Sequence, residues 1–410
     1  MRTSEPWLAF RQIGTGPSGQ RGKRLLQAVL VVVLCITTLS INIATATAAM
    51  PLGFEDTFVA SVSGPIDMVW TPDGRMIIIN KNGLVKVYAN GSLLATPALD
   101  LTTRLCTVGE QGLVGIALHP SFVSNHYIYL YYIYNKFNND CPENEINGPV
   151  GRFSRFVLPD TNVIDPASEV ILFETSPRYR NHHTGGDPKF GKDGYLYLPI
   201  GDAGGQSLAW PQDLGVLHGK VMRITDTGGI PPDNPYTGPG TARCNVNGVP
   251  PAGSPAGTKC QEIYSSGLRN PFRFAMDPNA AGVHYYIDDV GQHSWEEISE
   301  GPLASGNYGW QVREGPCAKD SDTDCGLPPA GMTDPIHWYK HGPDGGAVTG
   351  GTFIPNGVWP ASYDGKYLFA DYVFGKISIL ESGGPNCRLC ALPTSAFNQI
   401  EFATIPRSSV

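Results

Sequence analysis

Three stretches of this chain concentrate side chains capable of chemistry. The first is Asn181-His182-His183-Thr184-Gly185-Gly186-Asp187, followed after one strand-like run by Gly201-Asp202-Ala203-Gly204-Gly205. An imidazole that titrates near neutrality serves as a general base. A carboxylate on its far nitrogen fixes the tautomer and steadies the charge the ring acquires. His183 and Asp202 are therefore a candidate pair, against the plainer reading of a histidine that only hydrogen-bonds within a glycine-rich loop. Two adjacent histidines also suggest a metal, but neighbours on extended chain face opposite sides, and no cysteine or third histidine stands at ligand spacing. The second stretch is Gly267-Leu268-Arg269-Asn270-Pro271. A guanidinium fork beside an amide can clamp the carboxylates or carbonyl oxygens of a planar ligand; a surface ion pair with an Asx turn is the alternative. The third joins Asp288-Asp289-Val290-Gly291-Gln292 to Trp295-Glu296-Glu297-Ile298. Backbone carbonyls from the glycine turn with a carboxylate such as Glu297 suit calcium. The spacing is not that of an EF-hand, and a solvated acidic loop has the same composition.

The elements that must position these groups are short strands. The 410 residues include 49 glycines and 35 prolines, about a fifth of the chain, against ~12% in average proteins. Hydrophobic residues nevertheless make up 41% and charged ones only 16%, so the turn residues punctuate a packed core and do not dilute a disordered chain. From Phe54 onward a Pro/Asp/Gly turn followed by an aromatic and β-branched strand recurs. It appears at 71–88, 119–134, 191–224, 277–287 and 363–380. Small sheets of this kind must stack to bury a core, and a propeller is the closed arrangement that leaves few edges; a β-sandwich array is the alternative. Five blades are recognisable. The 30 residues after Leu380 hold one or two plausible strands, such as 400–404, so the last blade is either completed from the N-terminal side or left open.

From Met50 onward 24 basic residues face 36 acidic ones, a net charge of −12. Such a surface repels phosphate backbones and excludes nucleic acid as a partner. Residues 1–49 read as a signal peptide: Arg21-Gly22-Lys23-Arg24, an apolar run from Leu25, then Ala44-Thr45-Ala46-Thr47-Ala48-Ala49. The apolar run approaches the ~20 residues that span a bilayer, so an uncleaved N-terminal anchor is the competing reading and the only route to a membrane. Both place residues 50–410, read as a single propeller domain, in a secreted, periplasmic or extracellular setting. Eight cysteines follow Cys35, an even number that favours disulfides. Their clustering favours Cys106 with Cys141, Cys244 with Cys260, Cys317 with Cys325 and Cys387 with Cys390.

Taken in order, the strings Glu110-Gln111-Gly112-Leu113, His183-Thr184-Gly185-Gly186, Gly201-Asp202, Gly219-Lys220-Val221-Met222-Arg223, Pro232-Asp233-Asn234-Pro235, Gly267-Leu268-Arg269-Asn270-Pro271, Asp289-Val290-Gly291-Gln292 and Gly306-Asn307-Tyr308-Gly309-Trp310 resemble those of the soluble sugar dehydrogenases that use pyrroloquinoline quinone (PQQ), the glucose/sorbosone dehydrogenase family. The resemblance runs from about Phe54 to about Leu380. It implies an all-β, six-bladed propeller with PQQ across its top face. It also implies an enzyme that oxidises an aldose to the lactone and passes electrons to a soluble acceptor. His183 then corresponds to the base, Asp202 to its carboxylate partner and Arg269 to the group that polarises the quinone carbonyl. Glu110, Arg269 and Asn270 fall at cofactor-binding positions. Gly291 and Gln292 fall where carbonyls hold the calcium that contacts the quinone, and Glu297 and Tyr308 match ligands of a second calcium. Three departures stand out. Glu110 replaces a glutamine. Val373 stands where the family has a lysine, with Lys376 three positions on. The arginine pair of the last blade has no counterpart beyond a loose candidate, Arg407. A binding propeller resembling hedgehog-interacting proteins and a sugar-lactone hydrolase are the alternative functions.

Overall fold

The computed structural model describes residues 50–177, 180–205, 209–382 and 397–404. Residues 1–49, expected as a signal peptide or anchor, the expected pairing of Cys387 with Cys390, and Arg407 lie outside the described residues.

Twenty strands form five antiparallel meanders, each ordered from an innermost to an outermost strand. The first sheet comprises Pro65–Trp70, Met76–Asn80, Leu84–Ala89 and Ser92–Leu93, with Leu99–Asp100 added beside the third strand. The second comprises Leu113–Leu118, Tyr127–Tyr134, Val150–Val157 and Val170–Glu174, and the third Lys189–Phe190, Leu196–Ile200, Lys220–Ile224 and Ile263–Ser266. The fourth holds Pro271–Met276, Tyr285–Asp289, Trp295–Gly301 and His337–Lys340, and the fifth Val348–Phe353, Tyr367–Asp371, Lys376–Ser382 and Phe397–Thr404. Innermost strands meet in series, the first sheet against the second and so on to the fifth.

The second strand of a meander lies between neighbouring sheets and is covered on both faces. Met76–Asn80, Leu196–Ile200 and Tyr285–Asp289 are accordingly buried throughout. Such strands read as continuous apolar or aromatic runs, and each buried large side chain contributes ~1.5–3 kcal/mol. Tyr129, Tyr131 and Tyr132 are fully buried in this way. Disulfides join Cys106 to Cys141, Cys244 to Cys260 and Cys317 to Cys325. Among the described residues no helix is long and apolar enough to cross a membrane.

The expectation of six blades is corrected: the described residues form five propeller-type sheets. The strand expected at 400–404 is there, but it pairs with Lys376–Ser382 as the outer strand of the fifth sheet, and among the described residues no four-stranded sheet follows it. The N-terminal side supplies none either. Phe54 packs on Trp359, Tyr363 and Phe402 of the fifth sheet, and residues 55–62 cross to the first sheet without forming a strand.

Candidate active site

Strand direction alone brings the candidate residues to one end of the molecule. In an antiparallel meander, the turn between the second and third strands and the link from an outermost strand to the next innermost one fall at the same end. Glu110, the 181–187 loop and Arg269-Asn270 lie in or beside such links, while Asp202 and Gly291-Gln292 lie in such turns.

Hydrogen bonds tie these segments together. His183 Nδ1 lies 2.7 Å from Asp202 Oδ1. That oxygen also accepts the Gly204 and Gly205 N–H groups at 3.0 and 2.9 Å, and Oδ2 accepts the Trp310 indole Nε1 at 2.9 Å. The Asp202 N–H donates to the Arg269 carbonyl at 2.8 Å, so the imidazole and guanidinium segments share one mouth. Gly201 permits this approach, because a Cβ there would sit 2.2 Å from the His183 carbonyl oxygen. Asp202 is fully buried. Burial alone would raise its carboxyl, but hydrogen bonds from His183 and Trp310 and the nearby Arg269 charge hold it below the usual range. With Nδ1 committed to Asp202, Nε2 is the nitrogen left to meet a substrate.

Arg269 donates its N–H to Asp289 Oδ2 at 3.0 Å and Nη1 to the Val290 carbonyl at 2.8 Å, and its guanidinium carbon lies 5.6 Å from the Trp310 ring centroid. Its Nε is buried without a partner among the described residues. Asn270 donates its N–H to Asp289 Oδ1 at 2.6 Å and its amide Nδ2 to Glu110 Oε2 at 3.2 Å. Glu110 Oε2 further accepts the His183 N–H at 2.8 Å. Glu110 is thus an acceptor that ties the histidine loop to the Arg269-Asn270 link. The acceptor oxygen of a glutamine would serve this role equally.

The 291–295 turn is clamped by two buried carboxylates. Glu296 Oε2 accepts the Gly291 N–H at 3.3 Å. Glu314 Oε1 accepts four consecutive N–H groups, from Gln292, His293, Ser294 and Trp295, at 2.8 to 3.2 Å. With its amides aimed at these carboxylates, the turn keeps its Gly291 and Gln292 carbonyls for other partners. Gly291 is required here, since a Cβ would fall 1.6 Å from the Trp295 carbonyl oxygen. Glu297 is buried and accepts the Gly315 N–H; burial, then the charges of Asp289, Glu314 and Glu296, push its carboxyl well above the ordinary range. Tyr308 packs its ring with Tyr264, Leu268 and Tyr285 and donates its hydroxyl to the Glu300 carbonyl. Among the described residues no hydrogen bond joins it to Glu297.

Several acids grouped by sequence do separate work. Asp289 caps the Arg269-Asn270 amides, Asp288 Oδ2 accepts the Tyr367 hydroxyl at 2.9 Å, and Glu296 Oε1 meets His341 Nε2 at 2.6 Å. Among the described residues no three His, Cys, Asp or Glu side chains converge as a metal cage. Val373 lies in the turn after Tyr367–Asp371, and Lys376 pairs with Glu401 on the outermost strand at 2.6 Å. Sequence reasoning passed over two residues of the site. Trp310 was visible only as part of a glycine-rich string, and Glu314 only as the start of a loop.

The arrangement suits an oxygen-rich anionic ring: a partnerless buried guanidinium nitrogen and an orientated imidazole stand at one mouth. The turn carbonyls beside a buried carboxylate with acidic neighbours are hard oxygen donors of the type calcium takes.

Comparison with known proteins follows the same line. A family model described as Glucose / Sorbosone dehydrogenase matches residues 62–384. The HIPL2 protein of Arabidopsis thaliana is 30% identical over 331 residues, covering 68% of this chain and 44% of that protein, so this chain spans less than half its length. The aldose sugar dehydrogenase YliI of Escherichia coli K12 is 28% identical over 311 residues, 72% of each chain. Among solved structures, the PQQ-bound aldose sugar dehydrogenase of Streptomyces coelicolor superposes with a TM-score of 0.61 at 20% identity, covering 87% of this chain and 86% of its own; that likeness concerns the fold. A family model that matches most of the chain makes the protein a member of the glucose/sorbosone dehydrogenase family.

Proposed function

We propose that this chain oxidises an aldose at its anomeric carbon to the lactone, with PQQ and calcium as cofactors, in a secreted or periplasmic setting. The observation that carries the reading is the pairing of His183 Nδ1 with a fully buried Asp202 whose own N–H is bonded to the Arg269 carbonyl. When bound, the quinone supplies the two-electron acceptor for the hydride leaving the sugar carbon. His183 Nε2 takes the proton of the anomeric hydroxyl, and Asp202 keeps the ring in the tautomer that leaves Nε2 free. Arg269, Asn270 and Glu110 would hold the quinone, with Arg269 placed to stabilise charge developing on a carbonyl oxygen. The Gly291 and Gln292 carbonyls would hold the calcium beside it, and Glu297 and Tyr308 a second one. A soluble acceptor takes the electrons onward. The three disulfides fit an oxidising compartment, residues 1–49 serving as signal or anchor and 50–410 as one domain.

Purified protein supplied with PQQ and calcium should reduce a dye in the presence of an aldose, and His183→Ala should lower that rate roughly 10²–10⁴-fold. A second reading, a binding propeller resembling hedgehog-interacting proteins, is favoured by Val373 in place of a cofactor lysine. No turnover with any aldose, together with no quinone retained after desalting, would establish it over the first.

A further inference from the structure

We propose that Trp310 is a positioning residue that holds the carboxylate behind the base in a fixed plane and keeps the Arg269 guanidinium beside it. The inference rests on the reading of His183 as the base. Asp202 Oδ1 faces His183 Nδ1 and the Gly204 and Gly205 amides, whereas Oδ2 has one partner among the described residues, the Trp310 indole N–H at 2.9 Å. A carboxylate bonded at one oxygen can swing about its Cβ–Cγ bond. Bonded at both, it keeps the plane that aims Oδ1 at the imidazole. Trp310 is 4% exposed and Asp202 fully buried, so losing the indole donor leaves a buried carboxylate oxygen unpaired, the costly half of a broken hydrogen bond.

The main chain that carries the indole is itself held: the Trp310 backbone N–H donates to the Gly267 carbonyl at 3.0 Å, and the Trp310 carbonyl accepts the Gln212 amide at 2.5 Å. One face of the ring serves the Arg269 guanidinium, 5.6 Å from the centroid, a cation–π distance. A single side chain from the long segment after Trp295–Gly301 thereby sets the spacing between the proton-accepting pair and the guanidinium. The charged or titratable groups that surround this pair from other elements are Glu110, His182, Arg269, Asp289, His218 and Lys220, and Lys319 lies 5.6 Å from the Trp310 ring centroid.

The test is Trp310→Phe, which keeps a ring and removes the donor, compared with wild type and with Trp310→His, which returns a ring N–H. In the cofactor-loaded enzyme kcat should fall roughly ten- to a hundredfold, the size of one hydrogen bond to a charged group, with KM for the sugar within about twofold. An unpaired Oδ2 makes the carboxylate more basic and holds the protonated imidazole more firmly, so the acid limb of the rate profile should move ~0.5–1 unit to higher pH. In the cofactor-free protein the NMR signal of the His183 Nδ1 proton should shift or broaden in Trp310→Phe and recover in part in Trp310→His. Should both variants fail to fold, Asp202→Asn in the otherwise native chain should displace the Trp310 indole N–H signal. An unmoved pH profile and an unmoved imidazole signal, or an indole signal indifferent to Asp202→Asn, would overturn the proposal. Full activity in His183→Ala would instead sink the base assignment, whatever Trp310 does.

Discussion

Glu110 shows how a substitution that looks hostile on chemical grounds can be accommodated by its surroundings. A carboxylate facing an anionic quinone is unfavourable, yet the same oxygen accepts N–H groups from His183 and Asn270, so the position needs an acceptor and not a charge. Glu110→Gln should keep the two loops together and remove the repulsion. PQQ binding followed by fluorescence should tighten severalfold, with melting temperature unchanged; weaker binding would mean that the charge itself is used. That His183 and Asp202 were worth considering together was legible from residue type and spacing. That Glu110 bridges His183 to Asn270 was not, because the bridge joins positions 160 residues apart in sequence.

Among the elements, the 291–295 turn depends on one buried side chain. Glu314 satisfies four amides with a single oxygen, and Glu314→Ala would remove that acceptor from all of them along a turn that runs from half-buried Gln292 through exposed His293 to buried Trp295. A loss of ~3 kcal/mol or more is expected in denaturant unfolding, with weaker calcium binding by titration; a variant as stable as the parent would show that the turn holds its shape unaided. Lys220 plays a comparable part under the third sheet, donating to the carbonyls of Trp210, Pro211 and His218. Burial pushes its ammonium down to about 7, but three carbonyl acceptors call for three protons, so we read it as a charged structural pin. The Cys106–Cys141 disulfide closes a separation of 35 residues. Replacing both cysteines with serine should cost on the order of 3–4 kcal/mol on a chain-entropy basis, read as a lower urea midpoint. The pairing of near neighbours was legible because chain proximity dominates when cysteines cluster; the clamp by Glu314 was not, because an acid at a loop start has many uses.

For the molecule as a whole, stability is expected to depend on pH through the seam between the fourth and fifth sheets. Asp288 is fully buried beside Tyr367. Burial pushes its carboxyl up from 3.8 to about 8, with Asp187 and Glu296 adding to the rise and the Tyr367 bond opposing it. In that window the native state keeps a proton that the unfolded chain has released. The contribution of Asp288 is therefore largest at low pH and is lost as pH rises towards 8, by up to several kcal/mol (order of magnitude). Asp288→Asn should flatten the fall in unfolding free energy between pH 5 and 8. Identical pH slopes in variant and parent would show that Asp288 is ionised throughout.

Composition and local pattern were enough for an all-β, disulfide-bearing chain of repeated hairpins, because turn residues and apolar strand runs act over a few positions. The family strings were enough for the family. The hairpin pattern marked five sheets, the number the described residues form, and the sixth came from the resemblance alone. The place of Phe397–Thr404 was not available in this way, because it depends on the edge the strand finds, and Phe54 was drawn to Trp359 and Phe402 instead of extending a blade. The same holds for Trp310 and Arg269, which acquire their relation to Asp202 only when the third and fourth sheets close on one another. Contacts of that range are chosen by packing and by the need to satisfy buried polar atoms, and neither is written in the spacing of neighbouring residues.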